Sequence, residues 1–225
     1  MVFDFSHYFD DKIKLYLTKV DSYWDQGFSL ASRRKRVVEY FNLSDKIVSM
    51  PEQIHGDKVE ISTSNNQSLK CDAIIYDAQD VVGIISVADC VPVCIYDNVK
   101  EQIALIHSGW KGTDKKIILK TIDIMKKKGS MKDDLKVFLG PSIRSCCYKV
   151  GDSLYRKFHK SVVADVNGKL FVDLALQIKF DLNSIGIAKH NINVSKLCTY
   201  DSLNCHSYRR DGKMSGRMSF IAFKN

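Results

Sequence analysis

The chain alternates between segments in which apolar residues recur every three to four positions and short segments that are apolar throughout. The first pattern predicts helices with one buried face, and the second predicts strands that are buried on both faces. The predicted helices are 32–41, 113–128 and 173–182. The predicted strands are 73–76, 82–87, 93–96, 103–106, 137–139, 170–172 and 219–223.

The clearest helical pattern lies between residues 113 and 128. Thr113 and Asp114 are expected to cap its start, and Gly129 to end it. Its expected buried stripe is Ile117, Ile118, Thr121, Ile122 and Met125.

The order of these elements predicts an α/β fold, a single layered domain over residues 1–225 with mixed β-sheets flanked by helices. No Gly/Ser/Pro-rich linker and no internal repeat divides the chain. No G-x-G-x-x-G or G-x-x-x-x-G-K-[ST] motif is present, which argues against a dinucleotide or P-loop site.

Composition narrows the class of protein. Hydrophobic residues make up 45% and charged residues 27% of the 225 residues, as in ordinary globular proteins. No apolar run approaches the roughly 20 residues that span a bilayer, and the first residues lack a signal region. We therefore expect a cytoplasmic protein with no membrane partner.

The formal net charge of +8 favours anionic ligands such as phosphates. The two basic runs, residues 33–36 and 126–128, fall on helical patterns, where a solvated helix face is the expected role. No nucleic-acid-binding motif accompanies them, so we expect no nucleic-acid partner.

Seven cysteines without C-x-x-C spacing indicate free thiols in a reducing compartment. Cys71 and Cys94 lie in apolar segments and are expected to be buried and inert. The adjacent Cys146 and Cys147 are expected to have a structural or redox-silent role.

Three residues at the ends of apolar runs carry candidate chemistry: His55, Cys90 and His107. Imidazole and thiolate are preferred zinc ligands, and three protein ligands leave a fourth position for water or substrate. The spacing is too long for a local finger, so only the fold could assemble this set. The alternative is a nucleophilic pair in which His107 activates Cys90 and Asp89 orients the pair.

Six motifs follow one another along the chain: "QIHGDKV" (53–59), "CDAIIYD" (71–77), "SVADCVPVCIYD" (86–97), "IALIHSGWKGT" (103–113), "FLGPSIRSCCYKVG" (138–151) and "CTYDSLNCHSYRRDGKMSGRMSFIAF" (198–223). In this order they resemble the signature blocks of the laccase-domain (YfiH-type) family, whose members are also labelled multicopper polyphenol oxidase, purine nucleoside phosphorylase or peptidoglycan editing factor. The resemblance runs from about residue 53 to the C-terminus.

The resemblance implies an α-β-β-α sandwich and a zinc ion held by His55, Cys90 and His107. It also implies phosphorolysis of adenosine, inosine, guanosine and methylthioadenosine, or hydrolytic deamination of adenosine, with a purine nucleoside and inorganic phosphate as partners. The alternatives are a protein that edits or binds peptidoglycan precursors, or a copper-dependent polyphenol oxidase. Copper is the less favoured metal, because one mononuclear N/S set does not hold the several coppers of a laccase.

Beside the resemblance, residue chemistry suggests further roles. Asp89, next to Cys90, could transfer protons to the purine or could orient a metal ligand by a hydrogen bond. Arg210 is a candidate catalytic cation for phosphate and the leaving base, because its guanidinium is a forked donor. The expected substrate-binding residues are Trp110, by stacking on the purine, and Lys111, Arg209 and Arg217, by their charge. The alternatives are that Trp110 pins its turn into the core and that the arginines belong to a solvated basic loop.

The chain departs from the family pattern at three places. Lys111 stands where the family carries arginine, which replaces a planar fork by a point charge. Lys149 stands where glutamate is usual, and the early glycine-rich segment is missing from residues 21–37. These changes affect the expected substrate more than the expected zinc. The sequence gives no oligomeric state.

Overall fold

A computed structural model describes residues 1–25, 29–63 and 69–225 of the chain. The strands in these ranges are β1 Val2–Asp4, β2 Ile13–Thr18, β3 Ile47–Ser49, β4 Val59–Ile61, β5 Ala73–Tyr76, β6 Val81–Val87, β7 Val91–Asp97, β8 Ile103–Ser108, β9 Leu135–Leu139, β10 Lys149–Val150, β11 Val163–Val166, β12 Lys169–Val172, β13 Ile192–Val194 and β14 Met218–Lys224. The α-helices are α1 Leu30–Tyr40, α2 Trp110–Asp114, α3 Ile117–Lys127, α4 Asp152–Tyr155, α5 Leu174–Ser184 and α6 Tyr208–Asp211.

Two mixed sheets form the centre of the fold. The first has the order β1-β2-β14-β6-β3, and the second has the order β13-β9-β7-β8-β5-β4. A small sheet of order β10-β12-β11 lies apart from both. Because β14 pairs with β2, the two ends of the chain share one sheet.

Three apolar clusters separate the layers. One contains residues of α3 and α5 packed on the six-stranded sheet, such as Ile118, Ile178 and Ile106. The second lies between the two sheets, and the third contains Val37 of α1 against the outer face of the five-stranded sheet. The order of layers is therefore helix, sheet, sheet, helix, which confirms the predicted α/β sandwich.

The uninterrupted apolar strands follow from this layering. In β8, Ile103 and Leu105 lie between the sheets, whereas Ala104 and Ile106 face the helices. A strand with both faces covered needs no polar alternation. Of the strands that the pattern did not predict, β1, β4 and β13 are three residues long and incompletely buried. The prediction also missed β2, which has six residues, because buried and half-buried positions alternate along most of its length.

The predicted helix 113–128 is two helices in the structure. Lys116 adopts a left-handed conformation (φ 60°), which separates α2 from α3. The predicted capping role of Thr113 is wrong, because Thr113 lies inside α2 and its hydroxyl donates to the Gly109 carbonyl at 3.0 Å. The predicted apolar stripe is confirmed, since all five of its residues are buried.

The structure also bears on the membrane question. Among the residues that it describes, no helix has both the length and the apolar character needed to span a bilayer.

Substitution of Gly83 by alanine is expected to lower the free energy of unfolding by about 1–3 kcal/mol, through overpacking. A Cβ at Gly83 in β6 would lie 2.5 Å from the Tyr76 Oη, which is held by its hydrogen bond to the Ala222 carbonyl. Chemical denaturation measures the change. Gly151→Ala is the control, because no atom outside the neighbouring residues lies within 4 Å of its added Cβ. Equal stability of both variants would contradict the expectation.

Candidate functional site

A cavity of about 690 Å³ opens where the loops around β6, β7 and β8 meet α1 and α6. The side chains of His55, Cys90 and His107 all line it. His107 lies in β8, Cys90 directly precedes β7, and β7 pairs with β8 through Pro92 and His107. The three predicted metal ligands therefore share one cavity.

Hydrogen bonds of the Gln53 side chain fix the loop that carries His55. The Gln53 side chain accepts a hydrogen bond from the Ser86 amide (2.7 Å) and donates one to the Ser86 carbonyl (2.9 Å), which ties the loop to β6. His55 itself adopts a left-handed conformation (φ 54°). Such a conformation costs a non-glycine residue about 1–3 kcal/mol, so the contacts around the loop must hold it in place.

Asp72, which directly precedes β5, joins the two histidines. Its fully buried carboxylate accepts hydrogen bonds from the backbone amides of His55 (3.0 Å) and Gly56 (2.7 Å). The same carboxylate lies 2.9 Å from Nδ1 of His107. Burial opposes its charge, but the hydrogen bonds from His107 and Gly56 outweigh burial and lower the pKa of Asp72. The sequence prediction assigned no role to this residue.

The contact with Asp72 sets the chemistry of His107. Because a carboxylate only accepts hydrogen bonds, Nδ1 of His107 carries a proton and Nε2 is left for a ligand in the neutral ring. Burial disfavours the charged ring, yet the negative charges of an ionised Cys90 and of Asp72 raise the pKa of His107 to about 9. A metal at Nε2 must therefore displace a proton from the ring. Asp72, and not Asp89 as predicted for the alternative pair, orients this histidine.

The donor set suits a zinc-like ion. The ring centroids of His55 and His107 are 4.9 Å apart, and Cys90 lines the same cavity. A Cβ on Gly109 would lie 2.9 Å from the Cys90 sulfur, so the absence of a side chain there makes room for the thiol. The three donor atoms do not all lie within 4.8 Å of one another, so one side chain must turn to complete the site. His55 is the exposed member that can do so.

One wall of the cavity is basic. Arg33, Arg209 and Arg217 line it, and within residues 1–25, 29–63 and 69–225 no carboxylate lies at salt-bridge distance from any of them. Burial and the nearby Arg217 lower the pKa of Arg33. Its buried Nε has no hydrogen-bond partner in the described part of the chain. The prediction of a solvated basic helix face is therefore wrong for Arg33.

Two predicted binding residues differ in position. Trp110 lines the cavity and is 37% exposed, so its ring is accessible to a ligand. The Lys111 ammonium lies 5.6 Å from the centre of the Trp110 ring and does not line the cavity. Lys149 contributes its carbonyl, which accepts a hydrogen bond from Arg209 (2.6 Å).

Arg210 is held away from the cavity. Its guanidinium donates to the carbonyls of Tyr200 (3.0 Å) and Cys205 (2.9 Å), and pairs with Asp211 through two contacts of 2.8 Å. These bonds occupy the planar fork that the sequence analysis assigned to phosphate. Arg210 thus stabilises the loop between Thr199 and Cys205 by hydrogen bonds to its carbonyls. Its guanidinium does not reach the cavity, where the predicted catalytic role would place it.

Asp89 lines the cavity with both carboxylate oxygens engaged. One accepts from the Thr199 hydroxyl (2.7 Å) and the other from the Arg209 amide (2.6 Å). Its left-handed backbone (φ 82°) turns the chain into β7 beside Cys90. The contacts fit a positioning role for Asp89, and a proton-transfer role stays a prediction.

Two tyrosines also line the cavity, and of these the sequence analysis did not single out Tyr148. Arg209 lies over the Tyr148 ring at 4.9 Å, and Arg217 lies over the Tyr208 ring at 5.4 Å. Burial raises the pKa of Tyr148 to about 12, so its phenol stays protonated at neutral pH. These rings orient the two arginines and give the basic wall an aromatic surface.

Comparison with known proteins shows the family to which the chain is related. The model of the family described as multi-copper polyphenol oxidoreductase laccase matches residues 20–224, which extends the resemblance toward the N-terminus. A purine nucleoside phosphorylase of Clostridium acetobutylicum is 34% identical over 99% of this chain and 97% of its own. An adenosine deaminase of an unknown prokaryotic organism is 29% identical over 75% of this chain and 71% of its own.

The fold is also that of a solved structure. The crystal structure of YlmD from Geobacillus stearothermophilus superimposes with a TM-score of 0.87, over 95% of this chain and 92% of that chain. The two sequences are 22% identical, so this likeness concerns the fold alone.

Proposed function

We propose a function for this chain, which belongs to the multi-copper polyphenol oxidoreductase laccase family. It is a metal-dependent purine nucleoside enzyme that cleaves its substrate with inorganic phosphate. The observation that carries the proposal is one cavity that joins His55, Cys90 and His107 to three arginines, none of which has a carboxylate partner among the residues that the structure describes. Its volume of about 690 Å³ suits a ligand of nucleoside size.

In the proposed reaction the bond between C1′ of the ribose and N9 of the purine breaks, and its electron pair leaves with the base. A phosphate oxygen forms the new bond to C1′, and the base takes up a proton. Arg33, Arg209 and Arg217 are the groups placed to bind the phosphate, because they line the cavity and a guanidinium matches phosphate oxygens in pairs. Backbone carbonyls accept from Nη1 of Arg209 and of Arg217, so the Nη2 groups of these two are the proposed phosphate donors. Trp110 offers the exposed ring on which the purine stacks.

His55, Cys90 and His107 would hold Zn²⁺, and zinc in such a set acts as a Lewis acid or lowers the pKa of water. Asp72 keeps His107 in the tautomer that presents Nε2 to the cavity. Asp89 keeps the Arg209 backbone beside Cys90 through its 2.6 Å hydrogen bond. The preferred nucleoside among adenosine, inosine, guanosine and methylthioadenosine belongs to the same proposal.

Hydrolytic deamination of adenosine is the second candidate. A His/Cys donor set that activates water is the arrangement used by zinc deaminases. The relative named adenosine deaminase supports this reading for the family.

The direct test is chromatographic. Purified protein of measured zinc and copper content is incubated with adenosine, with and without phosphate, and the products adenine, inosine and hypoxanthine are separated. Adenine that forms only with phosphate is the expected result, and inosine without phosphate would indicate deamination.

Other outcomes would favour the other functions. Zinc without any product would favour the binding of a cell-wall precursor. Activity that depends on copper and oxygen toward phenols would favour the polyphenol oxidase. Loss by thiol alkylation but not by chelator would favour the Cys90–His107 nucleophile.

Arg33→Met tests whether the basic wall of the cavity binds phosphate. We expect the KM for phosphate to rise at least about tenfold, because one charge-assisted hydrogen bond contributes about 1.5–3 kcal/mol. Initial rates at varied phosphate measure it. Arg34→Met is the matched control, since Arg34 is the exposed neighbour on α1 and does not line the cavity. A rise in the KM for adenosine alone would place Arg33 at the nucleoside instead.

A further inference from the structure

We propose that Cys146, Cys147 and Cys198 form a second metal site, outside the cavity, for a thiophilic ion such as Zn²⁺. The three sulfur atoms all lie within 4.8 Å of one another. None of the three residues lines the cavity that holds His55, Cys90 and His107. The site thus has its own ligands.

The spacing of the sulfurs suits a metal. With Zn–S bonds of about 2.3 Å, tetrahedral geometry sets neighbouring sulfurs about 3.8 Å apart. The Cys146 and Cys147 sulfurs are 3.2 Å apart, and the distances to Cys198 are under 4.8 Å. Small side-chain rotations therefore bring all three sulfurs to bonding distance of one ion. Three thiolates select a soft ion over Mg²⁺ or Ca²⁺.

The backbone holds the two segments together without a metal. Ser142 and Cys198 pair in an isolated parallel β-bridge, and the Thr199 amide donates to the Ser142 carbonyl at 3.1 Å. The amides of Cys147 and Tyr148 donate to the Arg144 carbonyl at 2.9 and 2.8 Å. The thiols thus project from two fixed loops, and a site that is ordered before binding loses less entropy on binding.

One side of the cluster is open to solvent. Cys198 is buried, Cys147 is half-buried and Cys146 is exposed. A cation can therefore enter from the Cys146 side and displace the thiol protons as it binds.

The position of the cluster gives the metal a structural consequence. Tyr148, which lines the cavity, follows Cys147, and Thr199, which binds Asp89, follows Cys198. An ion bound to the three sulfurs would fasten these two loops to each other. The sequence analysis missed the cluster because Cys198 is remote in sequence from the adjacent pair.

The test removes the first site and measures the second. Cys90→Ser protein is stripped with chelator under reducing conditions, loaded with Zn²⁺, desalted and analysed for metal. We expect about one zinc per chain and a higher Tm with zinc than without it. Addition of Cys198→Ser should abolish both. Cys94→Ala is the control in the same background, since it removes a buried thiol outside the cluster and should leave the zinc in place.

Two further measurements keep the result interpretable. Zinc should slow the alkylation of Cys146 in the Cys90→Ser protein, as seen by mass spectrometry of its peptides. Cys147→Ser should abolish zinc binding as Cys198→Ser does, which covers the case in which one variant fails to fold. A folded Cys90→Ser protein that retains no zinc would overturn the proposal. Zinc that stays bound in folded Cys90→Ser/Cys198→Ser protein would also overturn it. So would a Cys90→Ser protein that, under the reducing conditions of the test, has a mass two units below that of the free thiols, because this shows a disulfide within the cluster.

Discussion

Replacement of Cys90 by alanine is expected to reduce kcat/KM for nucleoside cleavage more than about 100-fold and to remove one zinc per chain. Cys90 is the one thiol in the cavity and the one donor of the set that carries negative charge as a ligand. Loss of a group that only supports a metal ligand lowers metal affinity or activity by about 10–100-fold, so loss of the ligand itself should lower activity more. Product chromatography and metal analysis on the same preparations measure both effects.

Cys94→Ala is the matched control for Cys90→Ala. Cys94 lies four positions further along, in β7, but is buried between the two sheets. We expect its substitution to lower stability slightly and to leave zinc content and kcat/KM near the wild-type values. Full activity in folded Cys90→Ala protein would exclude both the metal site and the nucleophilic thiol.

Substitution of Asp72 by asparagine is expected to lower zinc affinity in the cavity, and with it activity, by about 10–100-fold. The Asp72 carboxylate accepts from Nδ1 of His107 and from two backbone amides, and an asparagine side chain has one acceptor oxygen for the three donors. An amide group turned toward Nδ1 would also favour the wrong tautomer of His107. Competition with a chromophoric chelator gives the affinity.

Asp77→Asn is the control for Asp72→Asn. Asp77 directly follows β5, at the end opposite Asp72, and is 55% exposed beside Lys128. This change removes the same charge from the same strand, so an equal loss of zinc affinity in both variants would show a general charge effect. Asp72→Asn protein that binds zinc like the wild type, at unchanged Tm, would remove Asp72 from the support of the site.

Much of the fold was readable because burial leaves a local pattern. The limits of β5 match the prediction, and β6, β7 and β8 differ from it by one to three residues at their ends, since strands covered on both faces are apolar without interruption. The stripe on α3 was readable for the same reason, because a helix with one buried face repeats every 3.6 residues. The break at Lys116 was not, because no residue preference requires a left-handed lysine there.

The sequence determined which residue types stand at the strand ends, and so it pointed to His55, Cys90 and His107. Only the tertiary structure decided what those residues contact. Asp72 meets His107 across 35 residues, and Arg33 reaches the cavity from a helix whose basic run is typical of a solvated face. Arg210 is drawn from the predicted phosphate site by carbonyls of its own loop, and Cys198 joins the Cys146–Cys147 pair. Periodicity reports whether a position is buried, whereas partners that are distant in sequence are set by how layers and loops pack together.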